Sequence, residues 1–160
     1  MPLGLEVAYD FGKLIHIGGG YEYGLGKTVK VQNDPLVSED EAAYSFVYGT
    51  VKLGAPIELG GDELFAYGGI DVGSFKATET VKFNTGLTAD ESGTIVAVRP
   101  KVGGLLFFGE RWSTTFELAF FSANVSDVKW LGQSVPNYSL NYSGVALLLG
   151  ISYHLPIATQ

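Results

Sequence analysis

A chain of 160 residues with a net charge of −7, 46% hydrophobic and only 17% charged residues is a single domain's worth of polypeptide, and it is apolar for a domain surrounded by water. Ten Lys and Arg against seventeen Asp and Glu provide no basic stripe for nucleic acid, and zero cysteines exclude disulfides, thiol nucleophiles and thiolate metal sites. The longest strongly apolar run, Val145 to Ile151, is far short of the roughly 18 residues of a membrane helix, which leaves a closed sheet as the way to cross a bilayer.

Seven segments with period-2 alternation follow in chain order. The first sets Leu3, Leu5, Val7, Tyr9 and Phe11 against Gly4, Glu6, Ala8 and Asp10. After Gly12-Lys13 the second, Leu14 to Leu25, sets Ile15, Ile17, Tyr21, Tyr23 and Leu25 against His16, Gly18, Gly20, Glu22 and Gly24, so these two predict a tight hairpin. The third, Tyr44 to Leu53, has Val47, Val51 and Leu53 opposite Tyr44, Phe46, Tyr48, Thr50 and Lys52, and its facing is ambiguous. In the fourth, Leu64 to Phe75, Leu64, Ala66, Ile70 and Val72 oppose Phe65, Tyr67, Asp71 and Phe75. In the fifth, Ile95 to Phe108, Val96, Val98, Val102, Leu106 and Phe108 oppose Arg99, Lys101, Gly103 and Phe107. The sixth, Trp112 to Ala123, sets Trp112, Thr114, Phe116, Leu118 and Phe120 against Ser113, Thr115, Glu117 and Ala119. The seventh, Asn141 to Leu155, carries Val145, Leu147, Leu149, Ile151, Tyr153 and Leu155 on one face. No helix is expected.

The connections alternate in length. Gly12-Lys13 and Gly109-Glu110-Arg111 are short and Gly54 to Glu63 is intermediate, whereas Lys27 to Ala43, Lys76 to Thr94 and Asn124 to Leu140 are long. Short and long turns therefore fall on opposite ends, and charges gather in the long ones: Lys27, Lys30, Asp34, Glu39, Asp40 and Glu41; Glu79, Lys82, Asp90 and Glu91; Asp127 and Lys129. Gly-rich alternating strands, this turn asymmetry and the closing strand Gly144 to Leu155 resemble the eight-stranded OmpA-like and opacity-type outer-membrane β-barrel superfamily. The resemblance covers nearly the whole chain and rests on a pattern without a diagnostic motif. It implies an all-β, antiparallel up-and-down transmembrane barrel over residues 1–160, in the bacterial outer membrane. It also implies contact with the lipid bilayer and lipopolysaccharide, and with the barrel-assembly machinery during biogenesis. The closing aromatic of that superfamily is matched approximately, since Pro156 to Gln160 trails beyond Tyr153 and Leu155. Barrels of this kind have even strand numbers. Seven visible strands therefore lead to the expectation of an eighth, preceding residue 1 together with a signal peptide.

With the apolar face outward, the lumen holds Glu6, Asp10, His16, Glu22, Asp71, Arg99, Lys101 and Glu117, with Lys52 as a further member. An interior that narrow fits paired charges better than a conducting pore. Tyr9, Tyr21, Tyr23, Tyr44, Tyr48, Trp112, Trp130, Tyr138, Tyr142 and Tyr153 lie near strand ends and suggest aromatic girdles at the membrane interfaces. Ser152-Tyr153-His154 contains a hydroxyl and a base on one face, but residues two apart on a strand are about 7 Å apart, which disfavours a catalytic pair there without excluding it. No His, Asp or Glu cluster has metal-ligand spacing, Asp34, Glu39, Asp40 and Glu41 read as a solvated loop, and the glycines at 18–20, 24 and 26 precede no helix that could bind phosphate. Neither catalytic residues nor a cofactor are expected. The leading reading is a non-enzymatic membrane barrel whose surface loops serve envelope structure, adhesion, a surface-antigen role or a small porin-like role. The alternative is a soluble calycin-like barrel binding a lipophilic ligand inside. The two differ in which face is apolar.

Overall fold

The computed structural model describes residues 2–11, 14–24, 28–30, 37–59, 62–108, 111–126, 128–130, 133–134 and 139–155. Seven strands make the framework: β1 Pro2–Phe11, β2 Ile15–Gly24, β3 Val37–Leu59, β4 Asp62–Phe83, β5 Thr88–Phe107, β6 Trp112–Phe121 and β7 Gly144–Leu155. Each pairs antiparallel with the next in sequence, and β7 then pairs with β1, so the sheet forms a ring. An odd number of strands forces one like-directed neighbour pair. That pair is the β1/β7 seam, parallel from Gly4 opposite Gly150 to Tyr9 opposite Leu155. Seven strands are thus enough for closure, and the expected eighth is not needed to complete the ring.

The pleat decides what faces where. On β1, Leu3, Leu5 and Val7 point outward while Glu6 and Ala8 are buried, and the same alternation runs around every strand of the ring. The ambiguous third segment settles with Val47, Val51 and Leu53 outside and Phe46, Tyr48, Thr50 and Lys52 inside.

Strand lengths depart from the expected 9 to 15 residues, since β3, β4 and β5 run 23, 22 and 20 residues. The long connection expected over Lys76 to Thr94 is instead a paired hairpin extension, Lys76 opposite Thr94 through Lys82 opposite Thr88. It turns through Asn84-Thr85-Gly86, where Gly86 N donates to Phe83 O at 2.9 Å and Gly86 takes φ of +83°, the left-handed position that closes a three-residue hairpin loop. Gly54 to Glu63, expected as an intermediate loop, is likewise ladder up to Leu59 opposite Asp62. Of Lys27 to Ala43, residues from Val37 onward belong to β3, against which Thr28–Lys30 pairs. Asn124 to Leu140 holds short paired pieces, Asn124–Val125 with Leu140–Asn141 and Lys129–Trp130 with Gln133–Ser134. Backbone pairing needs no apolar side chain, so the ladders continue past the point where hydropathic alternation stops. The ends of these elements that carry Lys27, Asp34, Asp127 and Tyr138 lie outside the described residues, as do the side chains of Lys30, Glu39 and Trp130.

Candidate functional site: a charged interior between two aromatic layers

Inside the ring the side chains stack in three layers. Nearest the long connections, Phe46, Phe75, Ala77, Ala97, Ala123, Val125 and Val128 form an apolar layer, with Tyr44, Phe121 and Tyr142 packed against it. Nearest the short turns, Phe65, Tyr67, Leu105 and Phe107 form a second. Charges fill the space between.

Two groups of ion pairs make up this middle layer. Lys52 Nζ lies 2.7 Å from Glu6 Oε1 and 3.2 Å from Glu117, and Lys101 Nζ reaches Glu117 at 3.2 Å and Asp71 at 2.7 Å. Arg99 donates from Nε to Asp71 Oδ2 at 2.9 Å and from Nη1 to Glu22 Oε2 at 2.5 Å, bridging two strands through its planar fork. The cations also lie over rings, Arg99 4.8 Å from the Phe46 centroid and Lys52 4.9 Å from that of Tyr67. Two phenols add to the carboxylates, Tyr44 donating to Glu22 Oε1 at 2.6 Å and Tyr67 to Glu117 Oε1, the oxygen that both lysines also approach. Lys52 and Asp71 are 0% exposed, so no bulk water screens these pairs.

All eight residues expected in the lumen are turned inward. Glu6, Glu22, Asp71, Arg99, Lys101 and Glu117 join one network with Lys52, whereas Asp10 and His16 belong to a separate group near the short turns. There Asp10 is paired with His16 Nδ1 and lies 3.0 Å from His154 Nδ1, and Ser113 Oγ lies 2.8 Å from His154 Nε2. The sequence signals for His154 and Ser113 are weak because the group spans four strands. Asp10 faces His16 across β1 and β2, His154 arrives through the seam, and Ser113 sits opposite Ser152 on β6 and β7. Ser152, the neighbour first paired with His154 in sequence, is directed at Glu6 instead, at 3.5 Å.

The expected aromatic girdle divides. Tyr21, Tyr23 and Trp112 are exposed on the outside, and Tyr9 and Tyr153 are part-exposed beside Phe11 and Trp112, with ring centroids 4.8 and 4.9 Å apart. Tyr44, Tyr48 and Tyr142 are not girdle residues. Tyr44 and Tyr48 share the pleat phase of Phe46 and Lys52, and Tyr142 packs on Phe75 at 5.5 Å. Burial pushes the Tyr142 hydroxyl up to about 12, with Glu79 and Asp40 adding to the shift, so it stays a protonated donor at neutral pH.

Two glycine positions accommodate these inward rings. A Cβ on Gly20 would lie 2.6 Å from Tyr48 Cζ, and the Tyr44 ring covers Gly24 in the same way. Gly20→Val is expected to displace Tyr48 and lower stability by about 1–3 kcal/mol, the cost of overpacking. The measurement is the denaturant midpoint, and an unchanged midpoint would remove the packing role assigned to Gly20.

No protein-family model, curated protein or solved structure matches the chain. Beside the middle layer, at the β1/β7 seam, lies a small cavity of about 20 Å³ lined by Glu6, Glu22, Tyr48, Glu117 and Leu148, room for about one water. A wider cavity of about 220 Å³ opens toward the long connections between Tyr44, Phe75, Phe121 and Tyr142, with Arg99 also in its lining.

Proposed function

We propose that the chain is a non-enzymatic transmembrane β-barrel of the bacterial outer membrane that presents its long-connection end to the outside and keeps its interior closed to solutes. The observation that carries this reading is the inversion of burial. Leu5, Leu147 and Val96 are 58%, 67% and 77% exposed, while Lys52, Asp71 and Lys101 are almost wholly buried. A domain in water gains by the opposite arrangement, since about 25 cal/mol is lost per Å² of apolar surface left wet.

The dimensions agree with a bilayer. The outward residues from Val145 to Leu155 run about 34 Å along β7 at ~3.4 Å per residue. Tilted by ~40°, that length covers about 26 Å of the membrane normal, close to the apolar band of outer-membrane barrels. Tyr9, Trp112 and Tyr153 lie toward the short turns, and Tyr21 and Tyr23 toward the long connections, where headgroups would meet the protein. The soluble, lipid-binding alternative calls for a wholly apolar interior under a charged exterior, whereas among the described residues the middle of the interior is ionic and the outward strand positions are mainly apolar. A porin-like role is disfavoured by the ion pairs that fill the middle layer. What remains is a surface role, envelope stabilisation or adhesion, carried by the β4/β5 extension and by the aromatic cavity above Arg99.

The folded full chain is expected to partition into detergent and to migrate differently on a denaturing gel before and after boiling. A folded monomer that remains dispersed in buffer without detergent would overturn the membrane assignment.

A further inference from the structure

The group at the short-turn end has a composition that the charge network does not explain. It contains both histidines of the chain, and its two imidazoles converge on a single carboxylate. One donor atom each from Asp10, His16 and His154 lie within 4.8 Å of one another, supplied by β1, β2 and β7. We propose that Asp10, His16 and His154 form a binding site for a divalent transition-metal ion of the zinc class.

The donor set selects the ion. Two imidazoles and one carboxylate suit zinc, copper or nickel, whereas calcium and magnesium require oxygen donors. Ligand distances of about 2.0–2.2 Å need the three donors to draw together by small side-chain rotations. The present contacts are hydrogen bonds along which a metal ion can replace a proton.

The surroundings are those of a ligand set. Ser113 Oγ, 0% exposed and 2.8 Å from His154 Nε2, can accept from Nε2–H and so turn the Nδ1 lone pair toward Asp10, the outer-sphere support that metal-bound histidines use. Phe65 packs on the His16 ring at 4.2 Å and Phe107 on that of His154 at 4.9 Å, walling the imidazoles with hydrocarbon. His16 Nε2 is buried without a hydrogen-bond partner among the described residues, so Asp10 is the polar partner of that ring. The side chain of Asp10 is 23% exposed at the short-turn end, which gives an ion its way in and leaves a coordination position for solvent.

The same atoms allow a competing assignment. Ser113, His154 and Asp10 are connected in the order of a hydrolase triad, Oγ to Nε2 and Nδ1 to carboxylate. Ser113 is completely enclosed, however, and none of the cavities described above includes it in its lining. Asp10 is moreover shared with a second imidazole.

The test uses the full folded chain, stripped with chelator and titrated with zinc chloride. Because the chain has two histidines, 15N-labelled imidazoles report on the site without mutation. Both sets of ring resonances are expected to move together and to saturate at one equivalent, with proton release and a rise in the unfolding midpoint that grows with zinc concentration. His16→Gln and His154→Gln, each checked for folding by gel mobility, are expected to weaken binding at least 10-fold, and Ser113→Ala about 10-fold. Resonances that do not respond to zinc would overturn the proposal, as would binding that is unchanged when both histidines are replaced. Labelling of Ser113 by a fluorophosphonate in the stripped wild-type chain would also overturn it, assigning the group to nucleophilic chemistry.

Discussion

Arg99→Met is expected to lower the unfolding free energy by about 3–5 kcal/mol, because it leaves Glu22 and Asp71 buried with one cation fewer. The arithmetic of the layer makes the prediction specific. Lys52 and Lys101 serve Glu6 and Glu117, Asp71 is shared between Lys101 and Arg99, and Arg99 is the cation that pairs with Glu22. In a Glu22→Gln, Asp71→Asn background, methionine at 99 is therefore expected to cost about 1 kcal/mol or less, mainly the lost contact of the guanidinium with Phe46 and Tyr48. A double-mutant cycle read from denaturant midpoints measures the difference. Equal losses in the two backgrounds would mean that Arg99 acts through packing rather than charge.

The second large effect belongs to the outer face. Leu149→Arg is expected to cost about 2–4 kcal/mol when the protein is folded in phospholipid vesicles, since the new charge would sit near the middle of the apolar band. Leu87→Arg, at the tip of the β4/β5 hairpin and 69% exposed, is expected to stay within about 0.5 kcal/mol. The contrast matters more than either value, because in water both positions are simply exposed leucines. If Leu149→Arg is as mild as Leu87→Arg in vesicles, the outward face does not meet lipid and the proposed function fails.

The part of this molecule that was legible in the sequence is the part governed by the pleat. Leu5 beside Glu6, or Val98 beside Arg99, states which face is which, and a period of two survives any error in strand ends. Ladder length was not legible, because Thr78 opposite Ser92 and Glu79 opposite Glu91 are polar pairs whose only strand signal is backbone pairing. Tyr44 and Tyr48 were misread for a related reason: aromatic residues near strand ends suggest interfaces, but their phase, shared with Lys52, turns them inward. Lys52 joins Glu6 to Glu117 from a strand whose facing the residue pattern leaves ambiguous. The Asp10, His16 and His154 group was invisible for a different reason. Its members are 6 and 144 residues apart in sequence, and only the ring's closure brings the third to the other two.

The parallel seam also differs from the other junctions in the loop of chain it closes. Every other junction in the ring joins strands that follow one another along the chain, so hairpins can form as soon as their residues are available. The β1/β7 junction has to bring together segments about 146 residues apart, since Gly4 meets Gly150. Without it β1 and β7 both carry unpaired backbone, a template for pairing with another chain. The seam is thus the joint that closes the longest loop of chain, and it covers the backbone edges that β1 and β7 would otherwise leave open.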